Sequence, residues 1–258
     1  MVSVLSRFVS KPGMSQAQEE EFHRALDAAR RGHPTEVVLL DWDGVGDKYG
    51  HRDPDSLARL RSHPVVRANK VKFGIISRGS ARRLREPADA LGATVFGGDG
   101  SILYDPAMRV LRHGGNLLGE TFDFLAGEIV PKIGGFVVSR LPRPLANMVA
   151  ENAYIAADLL ASTSIADISY RGSKAVAVRA AVEHFGARPR SVLGIADGDI
   201  DRAMLDEIGR MGGVGVVPHN RSPAMDAYAR ANRQHVIDHP LEYTDCLISV
   251  LGALERTT

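Results

Sequence analysis

One cysteine, Cys246, stands in a chain of 258 residues. An internal disulfide and a cysteine-built metal cage are therefore excluded, and any metal would rest on oxygen or histidine ligands. No uncharged run reaches the roughly 18 residues that a bilayer span needs. Arg7 and Lys11 break the short apolar start where a secretory core would have to lie, which leaves a cytoplasmic location as the expectation. An excess of one charge is missing too. With 32 Lys and Arg against 31 Asp and Glu there is no global field for nucleic acid or an anionic membrane, and neither is expected as a partner. His51, His63, His113 and His219 show no ligand spacing and read as loop or surface residues. Repeats and low-complexity tracts are absent, and 44% hydrophobic residues suffice for one large domain or a core with an insert.

What is present is an alternation of strand and helix patterns, the mark of an α/β fold with a parallel sheet covered on both faces. Residues 36–41 (EVVLLD), 71–77 (VKFGIIS), 93–96 (ATVF), 191–197 (SVLGIAD) and 213–217 (GVGVV) are short runs rich in Val and Ile, as expected of strands buried on both sides. Helical spacing lies between them, over 15–31 with Ser15 as cap and Gln18 three residues on, over 174–185 and over 201–209. The first of these helices could cover a sheet edge or mediate a homodimer.

Between about 100 and 172 the rhythm changes. SILYD and RVLRH suggest paired strands, and helical and strand patterns follow in turn, so an antiparallel sheet with helices on one side is expected. Gly97, Gly98, Gly100 and Gly172 flank the segment as hinges or as ordinary loop glycines. The expected organisation is a core domain of residues 1–99 and 174–258 with an inserted smaller α+β domain over 100–173.

In open parallel sheets reactive groups gather beyond the carboxyl ends of the strands, where helix N-termini also point. The first predicted strand ends in Asp41-Trp42-Asp43-Gly44-Val45, and the fourth in Asp197-Gly198-Asp199-Ile200-Asp201. A lone DxDG is a common turn. Two acidic clusters at strand ends in one chain point instead to carboxylates converging on a hard cation such as Mg²⁺, which relieves their repulsion. Ser77 closes the second strand, either as a helix cap or as a hydroxyl for a phosphoryl oxygen. Lys174 opens a helix, where a cation opposes the macrodipole unless an anion is near. Trp42 is expected to pack behind the site, and the run of Arg78, Arg82, Arg83 and Arg85 is expected to be a solvated helix face.

Taken in order, Asp41-x-Asp43-Gly44-Val45, a strand ending in Ser77, Gly172-Ser173-Lys174 and Asp197-Gly-Asp-Ile-Asp201-Arg-Ala-Met-Leu resemble the four motifs of the haloacid dehalogenase superfamily of phosphatases. The likeness runs over nearly the whole chain from about residue 36. The long stretch between the second and third motifs resembles the α/β cap of Cof-like sugar phosphatases and of trehalose-phosphate and sucrose-phosphate phosphatases. The resemblance implies a Rossmann-like core with that cap, and a Mg²⁺-dependent phosphomonoesterase acting on a small sugar or polyol phosphate. It implies that Asp41 is a nucleophile that becomes an aspartyl phosphate and that Asp43 is the general acid and base. Ser77 and Lys174 would hold the phosphoryl group. The Asp41 side chain, the Asp43 backbone carbonyl and Asp197 would bind the metal, with Asp201 orienting Lys174 or a metal-bound water. Arg140 in the cap is the candidate for the sugar. Departures from the pattern are Val45 in place of threonine, the order Ser77-Arg78-Gly79, Ile200 where asparagine is common, and Val138 where trehalose-phosphate phosphatases carry a glutamate; Asp199 is an alternative ligand. A phosphomutase of the phosphomannomutase type and a non-catalytic binding protein are the rival expectations.

Overall fold

The computed structural model describes residues 14–46, 54–77, 84–97, 102–113, 174–232 and 236–256. Among them eight strands form one sheet: β1 (Val37–Asp41), β2 (Lys72–Ser77), β3 (Thr94–Gly97), β4 (Ile102–Tyr104), β5 (Val110–His113), β6 (Val192–Ile195), β7 (Val214–Val217) and β8 (Val236–Asp238). Their order is β5-β4-β3-β2-β1-β6-β7-β8. β1 pairs in parallel with both β2 and β6, Val37 lying opposite Lys72 on one side and Val192 on the other. The chain thus winds outward from β1 in one direction and returns to wind outward in the other, which puts the topological switch between β1 and β6. Strand positions expected from apolar runs hold to within two residues at each end.

Pairing of β4 with β3, and of β5 with β4, is antiparallel. The hairpin read as the opening of the insert is therefore hydrogen bonded into the main sheet as its edge. Residues 114–173, with the remaining elements expected of the insert, lie outside the described residues.

Eight helices accompany the sheet among the described residues: α1 (Gln16–Arg30), α2 (Pro54–Ser62), α3 (Pro64–Ala68), α4 (Arg85–Leu91), α5 (Lys174–Phe185), α6 (Arg202–Arg210), α7 (Pro223–Ala231) and α8 (Tyr243–Glu255). Alternation along the strands decides which layer each side chain meets. Val38, Leu40, Phe73, Ile75 and Ile195 join a cluster with Leu26 of α1, Leu60 of α2 and Leu247 and Val250 of α8. Val37, Leu39, Ile76, Phe96 and Val192 join the opposite cluster with Ala177 and Val178 of α5, Met204 and Ile208 of α6 and Met225 of α7.

α1 starts as its sequence predicts. The Ser15 hydroxyl accepts from the Gln18 N–H and the Gln18 side chain accepts from the Ser15 N–H, a reciprocal cap that satisfies two otherwise unpaired donors. The helix lays Phe22 and Leu26 against α8 over a face of the sheet near β7, with the Phe22 ring on His239 just after the edge strand β8. Under it, His239 accepts from the Leu241 N–H at 2.9 Å and lies 3.0 Å from the Ser249 hydroxyl. No helix among the described residues is long and apolar enough to cross a membrane.

Candidate active site

Asp41 is the last residue of β1 and shares its parity with Val37 and Leu39, so it faces the layer that contains α5. The first residue of α5 is Lys174. Its ammonium lies 3.0 Å from Asp41 Oδ1 and is also bonded to Asp201 Oδ1, and the lysine is only 2% exposed. The uncomfortable position of a cation at a helix start is thereby explained: two buried carboxylates outweigh the macrodipole.

Asp197 and Asp201 arrive from β6, the parallel neighbour of β1. After Ile195 the chain passes through Asp197 into a short 3₁₀ turn (Asp199–Asp201), and Asp201 Oδ2 accepts the Gly198 N–H at 3.1 Å, which fixes the carboxylate over its own turn. One ligand oxygen from each of Asp41, Asp197 and Asp201 lies within 4.8 Å of the others, and all three residues are buried. This is an all-oxygen set of the kind a hard divalent cation takes.

The electrostatics point the same way. Burial, then the charge of Asp201, push the Asp41 carboxyl well above its ordinary value of 3.8; Lys174 opposes the rise, and Asp43 and Asp197 add to it. Several carboxylates face one ammonium, so the site holds an excess of negative charge that a proton or a metal ion would relieve. A divalent cation fits these residues.

The loop after β1 is built around two glycines. Gly44 has φ of +80°, and a Cβ there would come within 2.0 Å of Asp197 Oδ2, so the backbone passes directly against that carboxylate. At Gly46 a Cβ would strike the ring of Trp42 at 2.5 Å, and Trp42 is buried beneath the turn that its own carbonyl closes with the N–H groups of Val45 and Gly46.

Of the residues singled out from sequence, the fold gathers Asp41, Lys174, Asp197 and Asp201. Asp43 is half-buried beside them, outside the set of three clustered carboxylates, yet near enough for its charge to raise the Asp41 pKa. Ser77 is buried at the end of β2, one residue beyond the position paired with Asp41. Asp199 is exposed and pairs with Arg202 at 2.8 Å, outside the three clustered carboxylates. Ile200 is 55% exposed at the same turn. Arg140, Arg78 and Gly79 lie outside the described residues.

Sequence reasoning passed over Asn220 and Thr244. The Asn220 amide donates to the Gly44 carbonyl at 2.7 Å, and the Thr244 hydroxyl donates to the Gly46 carbonyl at 2.5 Å. The available signal was the turn-rich PHNRSP that follows the predicted strand 213–217, at the same end of the sheet as both acidic clusters.

No protein-family model matches the chain, and no curated protein matches it by sequence. Solved structures do. A protein of Thermoplasma acidophilum is 15% identical, aligned over 86% of this chain and 99% of its own, with a TM-score of 0.53. The sucrose-phosphatase of Synechocystis, solved with sucrose and phosphate, is 12% identical over 86% of this chain and 98% of its own, with a TM-score of 0.51. A protein of Streptococcus mutans is 13% identical over 86% and 98%, with a TM-score of 0.50. The likeness lies in the fold, and the described core is of the Rossmann-like type that the resemblance to the haloacid dehalogenase superfamily implies.

Proposed function

We propose that this chain is a phosphomonoesterase that hydrolyses a small sugar or polyol phosphate through a phosphorylated Asp41, with Mg²⁺ as its metal. The reading rests above all on the buried Asp41, Asp197 and Asp201 at the carboxyl ends of adjacent strands, with Lys174 between the first and the last.

An Asp41 oxygen attacks phosphorus, the bond from phosphorus to the ester oxygen breaks, and Asp43 gives its proton to the departing alkoxide. Water then attacks the same phosphorus, Asp43 takes the water proton, and the bond to Asp41 breaks to release phosphate and restore the carboxylate. Lys174 offsets the charge of the transferring group, and the Ser77 hydroxyl at the neighbouring strand end donates to one of its oxygens. Asp201 holds the Lys174 ammonium in place. Asp41, Asp197 and the Asp43 carbonyl would hold the divalent ion beside Asp201; when bound it supplies the positive charge that lets a carboxylate approach an anionic phosphate.

As substrate a phosphorylated sugar is favoured, the sugar leaving as the alcohol, because the Synechocystis fold neighbour is a sucrose-phosphatase. Arg140 is our candidate for gripping it. The test is a panel of phosphorylated sugars and polyols assayed for phosphate release with Mg²⁺ and with EDTA, beside Asp41→Asn. Release that needs the metal and vanishes in the variant supports the proposal. Turnover that survives either the chelator or the substitution removes it.

A further inference from the structure

The Asn220 carboxamide bridges two backbone segments that come from opposite ends of the chain. Its Nδ2 donates to the Gly44 carbonyl at 2.7 Å, and its Oδ1 accepts the Tyr243 N–H at 3.2 Å. Both partners have left-handed backbone, with φ of +80° at Gly44 and +47° at Tyr243. That conformation is ordinary for glycine and disfavoured for a bulky side chain, and the Asn220 carboxamide is one of the groups that hold Tyr243 in it. Tyr243 is also a neighbour of the site: burial, then Glu242 and Asp197, raise its phenol above the usual range. A residue later, the Thr244 hydroxyl reaches the Gly46 carbonyl. From the other side, the Ser222 N–H donates to the Asp197 carbonyl at 3.0 Å.

We propose that Asn220 is a positioning residue which, with Thr244 as its second arm, fixes the loop 42–46 and so the place of Asp43 relative to Asp41 and Asp197. Within the loop, the N–H groups of Val45 and Gly46 both donate to the Trp42 carbonyl and close its turn. The Asn220 and Thr244 bonds end on Gly44 and Gly46, either side of Val45, and tie the turn to two further segments of the chain. Asp43 is one residue from the first anchor. An acid–base group displaced by about 1 Å can cost up to a hundredfold in rate, which is why this anchor matters more than a surface hydrogen bond would.

The assignment of Asp43 rests on the function proposed above, and the experiment therefore carries an arm that needs no turnover. Trp42 is the sole tryptophan and packs under Gly46, so its fluorescence reports the loop directly. Asn220→Asp keeps the acceptor for Tyr243 and replaces the donor facing Gly44 with a second acceptor; Asn220→Ala removes both bonds without adding charge. Both variants, measured well below their melting temperatures, should show Trp42 emission at longer wavelength and more readily quenched by acrylamide. With a substrate found in the panel, kcat should fall about tenfold or more with KM changed by less than about threefold. Trp42 quenching equal to wild type in both variants overturns the proposal, as does an unchanged kcat. If wild type releases phosphate from nothing in the panel, the functional reading fails, and the quenching arm still decides the positioning role.

Discussion

Lys174 and Asp201 form a fully buried ion pair in which the lysine also serves Asp41. Removing one partner from such a pair strands the other charges in a medium that solvates them poorly.

Lys174→Met should therefore lower stability by about 3 kcal/mol, since breaking a buried pair typically costs that much, and should abolish phosphate release. Added Mg²⁺ should restore part of the lost stability, because it replaces the missing positive charge, and should raise the melting temperature of the variant more than that of wild type. Thermal unfolding with and without the metal measures this. Equal metal responses in the two proteins would contradict the shared charge balance.

The raised pKa of Asp41 has a sign that can be followed through. The folded protein holds this proton above the ordinary value of 3.8, where the unfolded chain has released it, so the Asp41 contribution to stability falls as pH rises above 3.8 towards the folded pKa. A bound cation competes with the same proton. Affinity for Mg²⁺ should rise with pH, and binding should release protons, as titration calorimetry in buffers of different ionisation enthalpy reads out. Asp41→Asn should lose the proton release and be more stable than metal-free wild type at neutral pH.

His239 acts in the opposite direction. Burial, helped by His23, lowers its pKa from 6.5 to about 4. The unfolded chain takes up the proton first as pH falls through 6.5, so stability is lost from there down to about pH 4. Between pH 7 and pH 5 the loss from this group is about 2 kcal/mol. His239→Asn keeps an acceptor for the Leu241 N–H and cannot titrate. Urea unfolding of wild type and variant at both pH values should show the dependence flattened in the variant; parallel curves would rule the histidine out as its source.

At Gly44, alanine meets two obstacles, the left-handed φ and the Asp197 carboxylate. Gly44→Ala should cost about 2 kcal/mol or more in chemical denaturation and weaken Mg²⁺ binding by at least about tenfold, because relief requires moving either the loop or Asp197. Gly92→Ala is the control. Its φ of +62° is similar and nothing lies within 4 Å of the added carbon, so it should show the backbone cost alone, with metal binding intact.

How far the sequence could be read follows from where each signal is stored. Strands buried on both faces must be apolar throughout, so 36–41 and 71–77 were legible as runs. Asp41 and Asp197 were legible as strand-end acids, but nothing local says that β1 and β6 are neighbours; the order of motifs in the resemblance supplied that. Lys174 was legible only as a cation at a helix start that needs an anion; which anions it meets, Asp41 and Asp201, comes from partners far along the chain. Asn220 was illegible for the same reason: it sits in a turn-rich stretch, as asparagine often does, and its two bonds reach Gly44 and Tyr243. α8 is apolar over most of its circumference, with eight buried positions from Thr244 to Leu254, so no amphipathic stripe marked it.

The Thr244 contact with Gly46 also sets an order of events during synthesis. A nascent polypeptide presents the acids of β1 long before the ribosome has made the ammonium that neutralises them or the hydroxyl that clamps their loop. The first strand's end therefore stays ionised and solvated until nearly two hundred further residues have been translated.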